Sequence, residues 1–240
     1  MISDLRTLVA YRELLWTWAL RDIKVRYTQT VMGVAWAILQ PFSMMVIFTV
    51  VFSLFMKVPT DGIPYPIFSY SALLPWSFFA SSISFGVPSV VNNSNLVTKI
   101  YFPREVFPIA AVMASFADFL VAAVIFMGMM VFYRVAPSWA LLTVPLTLII
   151  QILLTLGVVL LASALNVFYR DVRFVIPLVT QLWMYATPII YPVSIVPEWL
   201  RPAYSLNPMV GIIDAYRKTI LAGQWPDFNY LSMAAVTFSA

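Results

Sequence analysis

The sequence predicts an all-α, polytopic membrane protein with six transmembrane helices, the sixth truncated at the C-terminus. Two observations carry this reading. The 240 residues are 62% hydrophobic and 10% charged, with a mean hydropathy of +0.91, whereas a soluble domain runs near ~45–50% apolar and ~25% charged. Fourteen basic and ten acidic residues cannot clothe a water-facing surface of this size, which excludes a soluble enzyme, a disordered chain and a nucleic-acid binder. The second observation is where charge is missing: residues 27–56, 62–98, 106–117, 119–133, 135–169, 174–197 and 228–240 carry none. A helix crosses a bilayer core with about 20 apolar residues. These runs are too long and too uniformly apolar for alternating barrel strands.

A single transmembrane domain is expected over 1–240. Residues 1–30 hold a cytoplasmic interface helix. Its apolar positions Leu5, Leu8, Val9, Leu15, Trp16, Ala19, Leu20, Ile23 and Tyr27 recur on one face, broken by Arg12, with Glu13, Thr17, Arg21 and Lys24 opposite. That pattern suits an amphipathic helix lying in the membrane surface, serving as a topology anchor or as a contact for a partner subunit. Spans one to five fall near 31–56, 67–91, 107–133, 139–163 and 174–191. Residues 192–228 carry Pro192, Pro197, Pro202, Pro208 and Pro226 among apolar side chains, so no long helix survives there. Either an ordinary loop or short outer re-entrant helices near 197–204 and 208–221 fit. Asn207-Pro208 would start the second of these and Gly223 would stop it. A sixth span begins near 229 and is cut off at Ala240, so the natural chain is expected to run further.

Nine of the basic residues lie in the N-terminal segment and the loops near 92–105 and 164–173, against five on the other side. Positive-inside bias therefore puts the N-terminus in the cytoplasm. Asp4, Arg6, Arg12 and Glu13 interrupt any signal-peptide core.

The chain has no His and no Cys, hence no thiol nucleophile, imidazole base, disulfide or Cys/His zinc site. Its seven glycines are too dispersed for a phosphate-cradling loop. ATP, if used, must be bound by another chain.

Several residues stand out on physical grounds. Lys99, Tyr101, Phe102, Pro103, Arg104 and Glu105 make a charged, aromatic elbow at a membrane edge, where Pro103 prevents a continuous helix; an interfacial anchor would look the same. Phe168, Tyr169, Arg170, Asp171, Val172 and Arg173 form a short charged turn, either a topology determinant or a knob for a partner. Asp118 lies halfway into span three, where a carboxylate must face protein or water. It is expected to be a neutral or hydrogen-bonded packing residue at a subunit interface rather than a proton relay, beside small residues Ala110, Ala111, Ala114 and Ser115. Gln40, Gln151, Asn166 and Gln181 are expected to bond between helices.

Three stretches together resemble the membrane subunit of bacterial ABC exporters for polysaccharides, the permeases for O-antigen, capsule or teichoic acid. In "RDIKVRYTQTVMGVAWAILQP", residues 21–41, the matching positions are Arg21, Asp22, Lys24, Arg26, Tyr27, Gly33, Trp36 and Pro41; "NLVTKIYFPREVFP", residues 95–108, and "NVFYRDV", residues 166–172, follow in order. "LNPMVGIIDAYRKTILAG", residues 206–223, also looks like the family's outer re-entrant segment. The resemblance implies an interface-helix motif at Arg21, Arg26 and Tyr27. It also implies a cytoplasmic gate at 99–105, an ATPase-coupling turn at 168–173 and a substrate pathway lined by spans one and five, with Trp36, Trp183 and Tyr185 as its aromatic candidates. It implies a homodimer in the bacterial inner membrane, two copies of an ATPase subunit holding ATP and Mg, and a lipid-linked glycan as cargo. No cofactor is expected on this chain.

An exporter of drugs or lipids would have the same size and fold. An intramembrane glycosyltransferase or acyltransferase would need a carboxylate pair, a metal site or a catalytic His near the interface; the acids here are scattered. An ion-coupled carrier would show inverted repeats and buried charge.

Overall fold

The computed structural model describes residues 10–28, 30, 32–97, 99, 102–228 and 230–232. Among these there is no strand; every regular element is a helix. In chain order they are α1 (Arg12–Tyr27), α2 (Ala35–Phe48), α3 (Tyr65–Gly86), α4 (Ser89–Asn92), α5 (Ser94–Val97), α6 (Val106–Phe132), α7 (Val144–Phe168), α8 (Val172–Tyr185), α9 (Arg201–Ser205) and α10 (Pro208–Tyr216). α2 and α10 continue as wider π-helical turns, Thr49–Phe55 and Arg217–Leu221, and a 3₁₀ turn, Trp139–Thr143, leads into α7. Four helices are long and apolar enough to cross a membrane: Ala35–Phe55, Tyr65–Asn92, Val106–Phe132 and Trp139–Phe168.

The fifth expected span is shorter than the sequence suggests. α8 has 14 residues, and the apolar run continues to residue 191 without helix. Pro188 cannot donate to a next turn. The Ala186 carbonyl and the Thr187 hydroxyl accept from Asn207 instead, at 3.1 and 3.0 Å. The expected sixth span falls almost wholly outside the described residues.

The chain forms two compact units. The first comprises Met1–Trp36, Phe78–Asp118 and Thr155–Thr180. Its centre is the small-residue face of α6: Ala110, Ala111, Ala114 and Ser115 are all buried, which lets helices approach closely. Gly86 shows why: a Cβ there would stand 2.4 Å from Cγ1 of Val159. Asn166 ties α7 to the end of α3, donating to the Val87 carbonyl at 3.3 Å. The second unit comprises Ala37–Ser77, Phe119–Leu154 and Gln181–Ala240. Here Gln151 is fully buried, donating to the Pro75 carbonyl at 2.8 Å and accepting from the Tyr216 hydroxyl at 2.9 Å. Gln151 and Asn166 thus bond between helices as expected, whereas Gln40 and Gln181 are exposed on this chain.

Residues 192–228 contain short helical stretches at the two expected positions, Glu198–Ser205 and Pro208–Leu221, and a further 3₁₀ turn, Val193–Ile195. Asn207 accepts from the Met209 amide at 3.1 Å and Pro208 takes the first helical position, the pairing that opens a helix at least cost. Gly223 follows the last turn with φ +65°, a left-handed conformation that glycine adopts freely. Gly211 allows α10 to touch backbone, for a Cβ there would meet the Tyr230 carbonyl oxygen at 2.4 Å.

Candidate functional site

Of the apolar face expected of α1, Leu15, Ala19, Ile23 and Tyr27 are covered and Trp16 and Leu20 are exposed, while Leu5, Leu8 and Val9 lie outside the described residues; Glu13, Thr17, Arg21 and Lys24 are exposed as expected. The covered stripe runs through Tyr11, Leu14, Leu15, Trp18, Ala19, Asp22, Ile23, Arg26 and Tyr27. The spacing is that of one helical face, and it includes two charged side chains, Asp22 and Arg26, that a hydrophobicity pattern leaves out. The helix ends at Thr28, whose amide and hydroxyl both engage the Lys24 carbonyl, at 2.7 and 2.5 Å. Gly33, at φ +53°, then turns the chain toward α2.

Arg26 and Tyr27 converge on Asp118. The Arg26 guanidinium donates to one carboxylate oxygen at 2.7 Å and the Tyr27 hydroxyl to the other at 2.5 Å. Arg26 also reaches the Ser115 hydroxyl at 3.2 Å and the Ala111 carbonyl at 3.3 Å, and stacks 3.8 Å over Phe85. Only 11% of the arginine side chain and 21% of the aspartate side chain remain exposed. Burial raises the Tyr27 phenol well above its usual range, and its bond to Asp118 raises it further, so it stays a donor. Asp118 is hydrogen-bonded, as expected of it. The carboxylate is an ion-pair partner within its own chain, and the small residues around it serve that pairing. Asp22, on the same stripe, is raised by burial, with Arg26 and Arg21 acting in the opposite direction.

The elbow at 99–105 joins this assembly through aromatic edges. Phe102 meets Phe107 at 5.3 Å, and Phe107 meets Trp18 of α1 at 4.9 Å. Arg21 covers the Trp18 ring at 4.1 Å and reaches Asn93, between α4 and α5, at 3.4 Å. The Pro103, Arg104 and Glu105 carbonyls accept from Val106, Phe107 and Ile109, forming the first turn of α6. Lys99, Arg104 and Glu105 are exposed. Tyr101 lies outside the described residues.

The charged turn at 168–173 is tighter than its sequence suggested. α7 runs to Phe168, five residues beyond the expected end of span four, and α8 starts at Val172. Only Tyr169, Arg170 and Asp171 remain between them. The Val172 amide closes the turn on the Tyr169 carbonyl at 3.2 Å, and the Asp171 carbonyl accepts from Phe174 and Val175 at 2.9 and 3.1 Å. Asp171 thus stands at the N-terminus of α8, where negative charge is favoured. Phe168 and Tyr169 are 79% and 67% exposed, Arg170, Asp171 and Arg173 are exposed too, and Arg173 lies 4.6 Å over Phe174. Short, closed by backbone hydrogen bonds and uncovered, the turn belongs to the first unit.

The three aromatic pathway candidates differ in setting. Trp36 and Tyr185 are exposed. Trp183 is held, its indole donating to the Asn207 side-chain oxygen at 2.8 Å.

Arg217 stands in the sequence only as one of the basic residues within the expected helix near 208–221, with no partner assigned to it. It is buried, donates to the carbonyls of Pro188, Ile189 (2.7 Å), Tyr191 (3.1 Å) and Phe68 (3.4 Å), and lies 3.7 Å over the Phe68 ring. The available signal was a charge inside an otherwise apolar helical stretch, which calls for a named partner.

Residues 13–221 match the model of the ABC-2 type transporter family. The chain is 30% identical to the O-antigen export system permease protein RfbA of Myxococcus xanthus, over 99% of this chain and 92% of that one. It is 31% identical to a protein of the same name from Klebsiella pneumoniae, over 90% and 83%. The polysialic acid transport protein KpsM of Escherichia coli is 23% identical over 89% and 84%. With a family model covering most of its length and four apolar helices of membrane-crossing size, the chain belongs to the ABC-2 type transporter membrane family.

Proposed function

We propose that this chain is the permease half of an ATP-driven exporter that moves a lipid-linked polysaccharide from the cytoplasmic to the outer face of the bacterial inner membrane. Two copies form the conduit, with their N-termini in the cytoplasm. Two copies of a separate ATPase subunit hold ATP and Mg and drive it. The observation that carries the cargo class is the similarity to O-antigen export permeases over 90–99% of the chain.

The geometry supports a division of labour. A transport stroke needs a stiff projection that a rotating partner can push, and the exposed turn at 168–173 suits that role. The elbow at 99–105 is the gate through which the glycolipid enters. Its aromatic links to α1 would pass movement of one to the other. Trp36, Trp183 and Tyr185 offer ring faces on which sugars can slide. The chain does no bond chemistry itself.

The test is reconstitution of the permease with its ATPase in liposomes. Lipid-linked glycan should stimulate ATP hydrolysis and become accessible on the far side. Stimulation by drugs or simple phospholipids in place of the glycan would reverse the cargo assignment, and failure to bind any ATPase would sink the whole reading.

A further inference from the structure

The second unit contains a groove whose lining includes none of the gate, coupling or pathway side chains named above. It measures about 560 Å³ and is lined by apolar side chains of α2 and its π-helical extension, including Phe42, Met45 and Val50, and of α6, including Met129 and Tyr133. Phe42 to Val50 spans roughly 12 Å of helix at ~1.5 Å per residue, most of one ~15 Å leaflet. The floor is open at Gly128: a Cβ placed there would meet nothing within 4 Å.

Both lining helices are followed, two residues past their last helical residue, by a basic residue: Lys57 after Phe55 and Arg134 after Phe132. Both residues are exposed, and both take left-handed backbone, φ 49° and 55°, a conformation in which glycine is the unstrained choice. Arg134 directly follows the groove-lining Tyr133. Neither cation joins an ion pair among the described residues. The nearby Asp61 carboxylate instead accepts from the Ser194 hydroxyl, at 3.3 and 3.4 Å. A helix dipole accounts for one basic residue at each end. It does not account for an open hydrocarbon-lined slot whose two walls are both followed by a free cation.

We propose that this groove is a binding site for an anionic phospholipid, one acyl chain lying in the slot past Gly128 and the headgroup phosphate meeting Lys57 and Arg134. Charge complementarity selects the occupant: a hydrocarbon chain alone has no use for the two cations. The site is independent of the glycan cargo, so either assignment can fail without the other.

The test is native mass spectrometry of the intact permease–ATPase complex, delipidated and titrated with phosphatidylglycerol or phosphatidylcholine. The wild type should retain phosphatidylglycerol preferentially. A basic residue near the membrane surface is worth about fivefold toward anionic lipid, so the Lys57→Gln, Arg134→Gln double variant should lose roughly thirtyfold of that preference while still binding phosphatidylcholine. Gly128→Leu, whose Cβ meets nothing within 4 Å and whose side chain would occupy the slot, should expel both lipids from this site. Equal retention of the two lipids by the wild type, or unchanged retention in Gly128→Leu, overturns the proposal. So does a second copy in the slot: the chain has no cysteine, so efficient disulfide cross-linking between copies of a Met129→Cys variant would report that occupant cleanly.

Discussion

Replacing Asp118 with leucine removes the acceptor on which two donors of α1 converge. Breaking a buried ion pair by deleting one partner costs about 3–5 kcal/mol, while an exposed pair is worth about 0–1 kcal/mol. With 11% and 21% of the two side chains exposed, this pair lies nearer the first case. Arg26 keeps its bonds to Ser115 and Ala111 and its place over Phe85, which trims the loss to about 2 kcal/mol. The orphaned Tyr27 hydroxyl adds about 1 kcal/mol. A total near 3 kcal/mol corresponds to roughly a hundredfold shift in local opening. The assay is hydrogen exchange of the α1 amides in the purified full-length permease. D118L should raise exchange in the last two turns of α1 by about that factor. The double variant R26L/D118L, which removes both charges and leaves an apolar contact, should recover most of the protection. Unchanged exchange in D118L would refute the latch. A double variant worse than the sum of the single ones would refute the electrostatic reasoning behind it.

Three further outcomes are expected. Arg170→Ala or Asp171→Ala should abolish export while the complex with the ATPase still co-purifies; normal export from both would remove 168–173 from the coupling role. Gly211→Ala forces a Cβ to 2.4 Å from a backbone carbonyl and should cost about 1–3 kcal/mol in thermal unfolding. Gly128→Ala, into open space, should be neutral or slightly stabilising, and the reverse order would contradict the packing. Arg217→Lys keeps the charge but lacks the planar five-donor fork, so several of the four carbonyls lose their donor; a melting temperature equal to wild type would show that the fork is dispensable.

The helical membrane class, the four long apolar crossings and the two short outer helices were legible because each rests on a local rule: an uncharged run, a proline, an Asn-Pro start, a glycine stop. The end of α8 was not, because Pro188 alone tolerates several outcomes and the side chain that captures residues 186 and 187 is Asn207, about twenty residues on. The charged members of the covered stripe of α1 were not legible for a related reason. Hydrophobicity sorts Arg26 and Asp22 to the water side, yet Arg26 turns inward because Asp118, 92 residues away, waits there. The motif containing Arg21, Arg26 and Tyr27 was visible as a pattern of letters. Its physical content, a guanidinium and a phenol closing on one carboxylate, needed the third helix in place. Arg217 was invisible for the same reason: its partners are backbone carbonyls, which no sequence pattern marks.

Arg217 also bears on how the protein is made. The carbonyls of Pro188, Ile189 and Tyr191 precede their common donor by 26–29 residues. At a synthesis rate of roughly 5–20 residues per second, the ribosome delivers these acceptors a few seconds before the guanidinium that satisfies them. The non-helical stretch after α8 therefore cannot settle as it emerges. It waits in water, among headgroups or with an insertion factor until residue 217 arrives, and the chain beyond α8 enters its final place as one late block rather than helix by helix.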